Sequence, residues 1–547
     1  MALAQRRVRL LFVLFAGLLA IAALRAADLG TLQASRLSAV AQNHQVVSGT
    51  VTPLRGAIVD RNGDALALTE PGDDVSAYEV RDPERAALKL APLLGESASS
   101  LAAKLTARRG FQYLARQLPA ARAQRIAALQ IAGVALSTDN YRDYPFGSLA
   151  GQVLGGVHLS GAGAGGIEEQ LNRQLGGQSG QTSTVYAENG TPISVNVTRQ
   201  AVQGQDVRLT LDAALQQEAE SVLAGVAQQY HPVSATAIAM NPQSGAVLAL
   251  ANWPSANPNH PGSGANWQDS AIQLNYEPGS TFKIVVVGGA ISDGLINPNT
   301  LFRIPSQLAF DTRIIHDSSP HPNETLTTTG IIAQSSNIGA VEIGQKLGAQ
   351  RFAYWVRRFG FGALTGIDLP GEEQGIVPAL ADYNNFSMGN LPFGQGESVT
   401  PIQIADAYGA IADGGILRAP HVVESIGGVR QREPAGRRIL SPAVAAEMRT
   451  ILESVLEPGG TASEIAIPGY TLAGKTGTAN IAVNGKYSSA KYVASFVGFA
   501  PANHPRIEVE VVVDQPQDGA IYGTDAPAHA WQQIMEWALR YLKIPPS

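Results

Sequence analysis

Gly469-Tyr470-Thr471-Leu472-Ala473-Gly474-Lys475-Thr476-Gly477-Thr478-Ala479-Asn480 can be read in two ways, and the choice decides the fold. Gly469 to Thr476 fits G-x-x-x-x-G-K-T, the pattern of a phosphate-binding loop. The run IEVEVVVD, ending at Asp514, even resembles the acidic strand that would hold magnesium. Such a loop must open directly into a helix. Here Gly477 to Asn480 leads into a polar loop containing Asn484-Gly485 and then into a strand pattern, so the stretch reads as a strand. A strand makes a different kind of site. Lys475 and the hydroxyls of Thr476 and Thr478 can bind a carboxylate, and Gly477 leaves room for a substrate backbone. The N–H of Thr478 can point at a developing oxyanion.

Two further segments complete an inventory for acyl transfer through a serine ester. Glu277-Pro278-Gly279 is a turn that delivers Ser280 to the start of a helix, with Lys283 one turn on and on the same face. The helix TFKIVVVGGAI is apolar nearly all round, which predicts burial, and Lys283 is its one ionisable residue. Burial lowers a lysine pKa, and a neutral amine beside a hydroxyl is a workable base. A fixed Lys475 would help keep Lys283 neutral by repulsion. The bland alternative is a helix cap followed by a snorkelling lysine. Ser335-Ser336-Asn337 precedes the helical pattern IGAVEIGQKLG, and capping alone would account for it. Beside Lys283, the Ser335 hydroxyl can pass a proton to a leaving amine. The Asn337 amide can hold Lys283 on one side and a substrate carbonyl on the other.

The rest of the chain frames this chemistry. Its 547 residues call for two or more domains, and 45% hydrophobic against 15% charged residues supports packed interiors. A net charge of −6 without a basic block argues against nucleic acid as partner. Zero cysteines exclude disulfides and thiolate metal sites, and no histidine motif has metal-ligand spacing. Arg6, Arg7 and Arg9 precede the apolar run Leu10 to Leu24. An uncleaved anchor with the N-terminus in the cytoplasm is the favoured reading. A cleaved signal peptide competes, since small residues lie near the end of the run.

Residues 28–50 suggest a helical stalk, Asn62-Gly63 a hairpin, and 83–132 short helices. Gly161 to Gly166 suggests a flexible stretch. Its match to a dinucleotide fingerprint lacks a suitably placed acid, because Glu188 sits in the Ala187-Glu188-Asn189-Gly190 turn. Val207 onward reads as a strand and then a helix, and Ala235 onward as a hairpin. Two C-terminal strands and an amphipathic helix, AHAWQQIMEWALRYL, follow. This is an α+β pattern with a sheet packed by helices, and a boundary near Gln203-Gly204.

Taken together, the three segments match the serine–lysine pattern of penicillin-binding proteins and related β-lactamases. The chain resembles the class B penicillin-binding proteins along nearly its whole length. RGAIVDRNGDALA (Arg55 to Ala67) looks like their pedestal signature. FGQGESVTPIQIADAY (Phe393 to Tyr408) and GGTASEIAIPGYTLAGKTGTA (Gly459 to Ala479) are similar to stretches of their transpeptidase domain. Tyr522-Gly523-Thr524 departs from the usual Tyr-Gly-Gly, and Ala187 to Gly190 from a common Asp-containing turn.

The resemblance implies a cytoplasmic stub and anchor over 1–29, a pedestal of dimerisation type over 30–203, and a serine β-lactamase-like transpeptidase domain over 204–547. It implies a bacterial cytoplasmic-membrane enzyme that cross-links peptidoglycan stem peptides, is acylated by β-lactams and needs no cofactor or metal. Ser280, Lys283, Ser335 and Asn337 would be catalytic. Lys475, Thr476, Gly477 and Thr478 would bind substrate. Expected partners are a membrane-embedded SEDS-type glycan polymerase and division or elongation proteins. Glu277 and Asn337 favour the septal subclass over the elongation-specific one. An idle division scaffold and a β-lactam sensor compete with the enzymatic reading, although a sensor is expected to carry a cytoplasmic domain and few residues precede the apolar run.

Overall fold

The structure, a computed structural model, describes residues 2–36, 46–107, 110–186, 192–262, 266–483, 485–517, 519 and 521–547. They fall into two compact units: residues up to Leu54 with Gly176–Gly204, and Arg55–Leu175 with Gln205–Ser547. The sequence span 30–203 therefore contributes to both.

In the first unit Ala2–Ala27 is one helix of 26 residues. At 1.5 Å per residue it is about 39 Å long, enough to cross a hydrocarbon core of roughly 30 Å. Its apolar side chains from Val8 to Leu24 are exposed, which fits a single-pass membrane anchor. Part of the expected helical stalk is instead a strand, Val46–Val51. Its sequence VVSGTV is rich in β-branched residues, which suit a pleated surface. It pairs antiparallel with Gly180–Tyr186, which pairs with Pro192–Arg199. Residues 37–45 of the expected stalk, the Ala187 to Gly190 turn and Asn484 lie outside the described residues.

The second unit is built on a five-stranded antiparallel sheet, in the order Ala246–Trp253, Ser234–Asn241, Ile507–Asp514, Lys486–Ala500, Ala473–Val483. Both expected hairpins are present. Helices Ala213–Tyr230 and Ala526–Tyr541 cover one face, with Trp531 packed 4.9 Å from Phe496. Side chains alternate along a strand. Glu508 and Glu510 therefore face the opposite helix, Pro401–Ala412, where Glu508 Oε2 comes within 2.8 Å of the Cβ position at Gly409. The helix Lys283–Ser292 lies in the interior, buried from Lys283 to Ile291.

A second sheet joins Val429–Arg430, Val423–Ile426, Val207–Leu209, Ile58–Val59, Ala65–Ala77 and Gln112–Pro119, with Val134–Asp143 also paired to Ala65–Ala77. The Asn62-Gly63 turn is held by Asp60, whose Oδ1 accepts the N–H groups of Asn62, Gly63 and Asp64 at 2.7, 2.8 and 2.9 Å. Buried Glu168 accepts from Arg55 at 2.5 Å and from Arg142 at 2.7 Å. Gln112–Pro119 is a strand where short helices were expected. Pairing with Ala65–Ala77 and burial of Leu114 and Leu118 override its local helical preference. The glycine run expected to be flexible is also ordered. Gly163–Ala164 pairs with Gly156–Val157, and a Cβ on Gly163 would overlap the Glu168 carbonyl. Close backbone approach therefore accounts for that glycine without any nucleotide.

Candidate active site

Ser280 lies on a single 3-10 turn, Gly279–Phe282, which runs straight into the helix beginning at Lys283. Gly279 has φ +56° and a Cβ there would meet the Thr478 carbonyl at 2.7 Å, so the turn and the strand Ala473–Val483 fit only with glycine at this point. Buried Tyr408 donates to the Thr281 carbonyl at 2.9 Å and fixes the turn from below. Ser280 opens onto a cavity of about 530 Å³, shared with Ser335, Asn337, Thr476 and Thr478.

Lys283 is fully buried, and its Nζ donates to the Ser335 carbonyl at 2.5 Å and to Asn337 Oδ1 at 2.9 Å. It lies 3.3 Å from Ser335 Oγ. Ser280 Oγ takes none of these bonds, so the pairing of Ser280 with Lys283 is spatial in this state. Catalytic hydrogen bonds often tighten only when substrate is bound. Burial pulls the Lys283 pKa down to about 7, against an opposing pull from Asp317. Lys475 is pushed well below its ordinary value, first by burial and then by the charge of Lys283. The repulsion expected to lower Lys283 falls instead on Lys475, while burial alone draws Lys283 down.

Lys475 was expected to bind a substrate carboxylate together with the threonine hydroxyls. It is buried, and its Nζ donates to Ser335 Oγ at 2.9 Å, Thr476 Oγ1 at 3.1 Å and the Thr476 carbonyl at 3.2 Å. Both hydroxyls line the cavity, and Lys475 stands behind them. The reason expected for Gly477 also changes. The place of its Cβ is occupied by the protein: it would overlap Ser495 Oγ and lie 3.0 Å from Pro278 O and Thr281 Cγ2. Gly477 lets the Ser280 turn lie against the strand. Thr478 Oγ1 accepts the Gly523 N–H at 3.0 Å and so holds the Tyr522 to Thr524 loop on the cavity wall.

Ser335 has φ +62°, an uncommon conformation for a residue with a side chain, held at a cost of about 1–3 kcal/mol. In that conformation both its carbonyl and its hydroxyl reach Lys283. Ser336 caps the helix Asn337–Leu347 through Gly339 N–H, as the capping reading expected.

Three residues that no spacing singles out complete the site. Asp317 accepts from Ser336 Oγ at 2.7 Å and from the N–H groups of Asn337 at 2.5 Å and Ile338 at 2.9 Å. His321 sits 3.1 Å from Asp317. Thr461 lies 3.3 Å from Thr476 Oγ1, and its N–H donates to the Ala333 carbonyl at 2.9 Å. The only trace of the first two in the sequence is the clustering of His316, Asp317, His321 and Glu324 ahead of Ser335.

Residues 235–536 match the family model for the penicillin binding protein transpeptidase domain, and 50–209 that for the penicillin-binding protein dimerisation domain. The penicillin-binding protein PbpB of Mycolicibacterium smegmatis is 31% identical over 97% of this chain and 90% of its own. The peptidoglycan D,D-transpeptidase FtsI of Escherichia coli is 31% identical over 91% of this chain and 85% of its own. Penicillin-binding protein 3 of Mycobacterium tuberculosis, solved in complex with aztreonam, superposes with a TM-score of 0.73 at 27% identity, covering 91% of this chain and 98% of that one. With both domain matches in place around a serine–lysine centre, the chain belongs to the class B penicillin-binding proteins, a family of peptidoglycan D,D-transpeptidases.

Proposed function

We propose that this transpeptidase works through Ser280 as acyl carrier in septal peptidoglycan synthesis. The observation that supports the mechanism is the convergence of Lys283 and Lys475 on the single hydroxyl of Ser335, beside Ser280. Neutral Lys283 removes the Ser280 proton. Ser280 Oγ attacks the carbonyl between the two terminal D-alanines of a donor stem peptide, with the N–H groups of Ser280 and Thr478 stabilising the oxyanion. The peptide bond breaks, terminal D-alanine leaves with a proton relayed through Ser335, and an ester remains on Ser280. An acceptor amine then attacks the ester, forms the new amide and returns the proton to Ser280. Asn337 orients Lys283 and the donor. Thr476 and Thr478 hold the donor carboxylate, with Lys475 behind them. β-Lactams acylate the same oxygen.

Similarity to FtsI, together with Glu277 and Asn337, favours the septal role. Arg6, Arg7 and Arg9 favour a cytoplasmic N-terminus and an external catalytic domain. The pedestal would dock a membrane-embedded SEDS-type polymerase and division proteins. Fluorescent penicillin tests the site: wild type should form a covalent adduct and Ser280→Ala should form none. An adduct on Ser280→Ala would remove Ser280 from its role. Localisation of the protein along the side wall, not at the division site, would replace the septal reading with elongation.

A further inference from the structure

The loop ahead of Ser335 grips Ser336, Asn337 and Ile338 through four hydrogen bonds. Asp317 takes the Asn337 and Ile338 N–H groups and the Ser336 hydroxyl. The His316 carbonyl takes the Asn337 Nδ2 donor at 3.2 Å. That last bond fixes which way the Asn337 amide faces and leaves Oδ1 for Lys283. Asp317 Oδ2, which accepts the Ser336 hydroxyl, also meets His321 Nε2.

Among the described residues, the groups that meet the ring nitrogens of His321 are all acceptors. Nε2 is 3.1 Å from Asp317 Oδ2, and Nδ1 is 2.8 Å from the Pro322 carbonyl and 3.1 Å from Glu324 Oε1. A neutral imidazole offers one N–H and one lone pair. One of its nitrogens would then set a lone pair against oxygen lone pairs. Both sides are satisfied only when both nitrogens carry hydrogen. His321 faces Asp317 and Glu324, and Asp317 in turn faces Lys283.

We propose that His321, clamped as an imidazolium between Asp317 and Glu324, is a positioning residue for the transpeptidase reaction. Through Asp317 it fixes Ser336 and Asn337, and so the hydrogen-bond partners of Lys283. The proposal rests on Ser280 being the acylated residue, which Ser280→Ala tests separately.

The test is the second-order rate of acylation by fluorescent penicillin, measured on the full-length protein in detergent. His321→Gln keeps a hydrogen bond on one side only. It should acylate about tenfold more slowly, the scale expected of a sub-ångström misplacement. A His321→Gln rate matching wild type overturns the proposal. Should His321→Gln fail to melt cooperatively, the imidazole nitrogen spectrum of wild type decides. Two protonated ring nitrogens on His321 at neutral pH support the clamp, and one unprotonated nitrogen removes it.

Discussion

Ser335 gives one hydroxyl to two lysines, and this sharing governs the pH behaviour of the centre. With its pKa drawn down to about 7 by burial, Lys283 is largely neutral just above neutrality and protonated below it. Acylation of Ser280 should therefore climb with pH through about 7, read as adduct formed per unit time at limiting penicillin. Lys283→Arg keeps the charge at every pH and removes the base. Adduct formation should fall by about 10²–10⁴-fold with the melting temperature less affected. Ser280 and Lys283 were legible because a helix repeat places them on one face and nothing else in that helix ionises. The left-handed φ of Ser335 and the grip of Asp317 were not legible. They depend on a loop some twenty residues upstream in the chain folding back onto the helix start, and no local pattern encodes that return.

The strand Ile507–Asp514 carries Glu508 and Glu510 into the interior, facing Asp406 and the hydroxyl of Tyr276. Both Glu508 oxygens and Glu510 Oε2 are buried without a hydrogen-bonding partner among the described residues. Burial pushes both carboxyls well above the usual range, and their mutual charge pushes Glu508 further. A carboxyl raised in the fold binds more protons there than in the unfolded chain. Its stabilising effect is therefore complete at acid pH and is lost as pH rises from the ordinary carboxylate range toward the folded pKa. Glu508→Gln should leave the melting temperature near wild type at acid pH and raise it by about 2 °C or more at alkaline pH, measured calorimetrically. On the edge strand Ala473–Val483, Gly477→Ala should push the Ser280 turn away from the strand. The cost should be about 1–3 kcal/mol, with a matching loss of penicillin adduct. The strands themselves were legible from alternation and turn residues, including the decision between strand and phosphate loop at Lys475. Gln112–Pro119 was not, because its Ala, Leu, Arg and Gln content suits a helix until neighbouring strands supply its hydrogen bonds.

Across the whole chain, Arg55, Arg142 and Glu168 form a buried ionic knot in the second unit, reached from three separate segments. Removing one charge leaves the others buried and unpaired, so Glu168→Ala should lower stability by about 3–5 kcal/mol and reduce the amount of folded protein recovered. A truncation beginning at Val46 removes the apolar helix. It should move from the membrane to the soluble fraction and still form the Ser280 adduct; retention in membranes would show a second attachment. The sequence by itself determined the long apolar N-terminal helix and the order of the strands and helices in the catalytic region, and its resemblance to a serine–lysine family placed Ser280, Lys283, Ser335 and Lys475 in one site. The helix and the element order follow from periodicity and turn chemistry, which act over a few residues, whereas the shared site follows from the resemblance. Only the tertiary structure decided that Lys475 is buried behind Ser335 and Thr476, that Gly477 makes room for the protein's own turn, and that Asp317 holds the middle segment. Those follow from contacts between segments far apart in the chain, where packing and hydrogen-bond satisfaction act and local spacing carries no information.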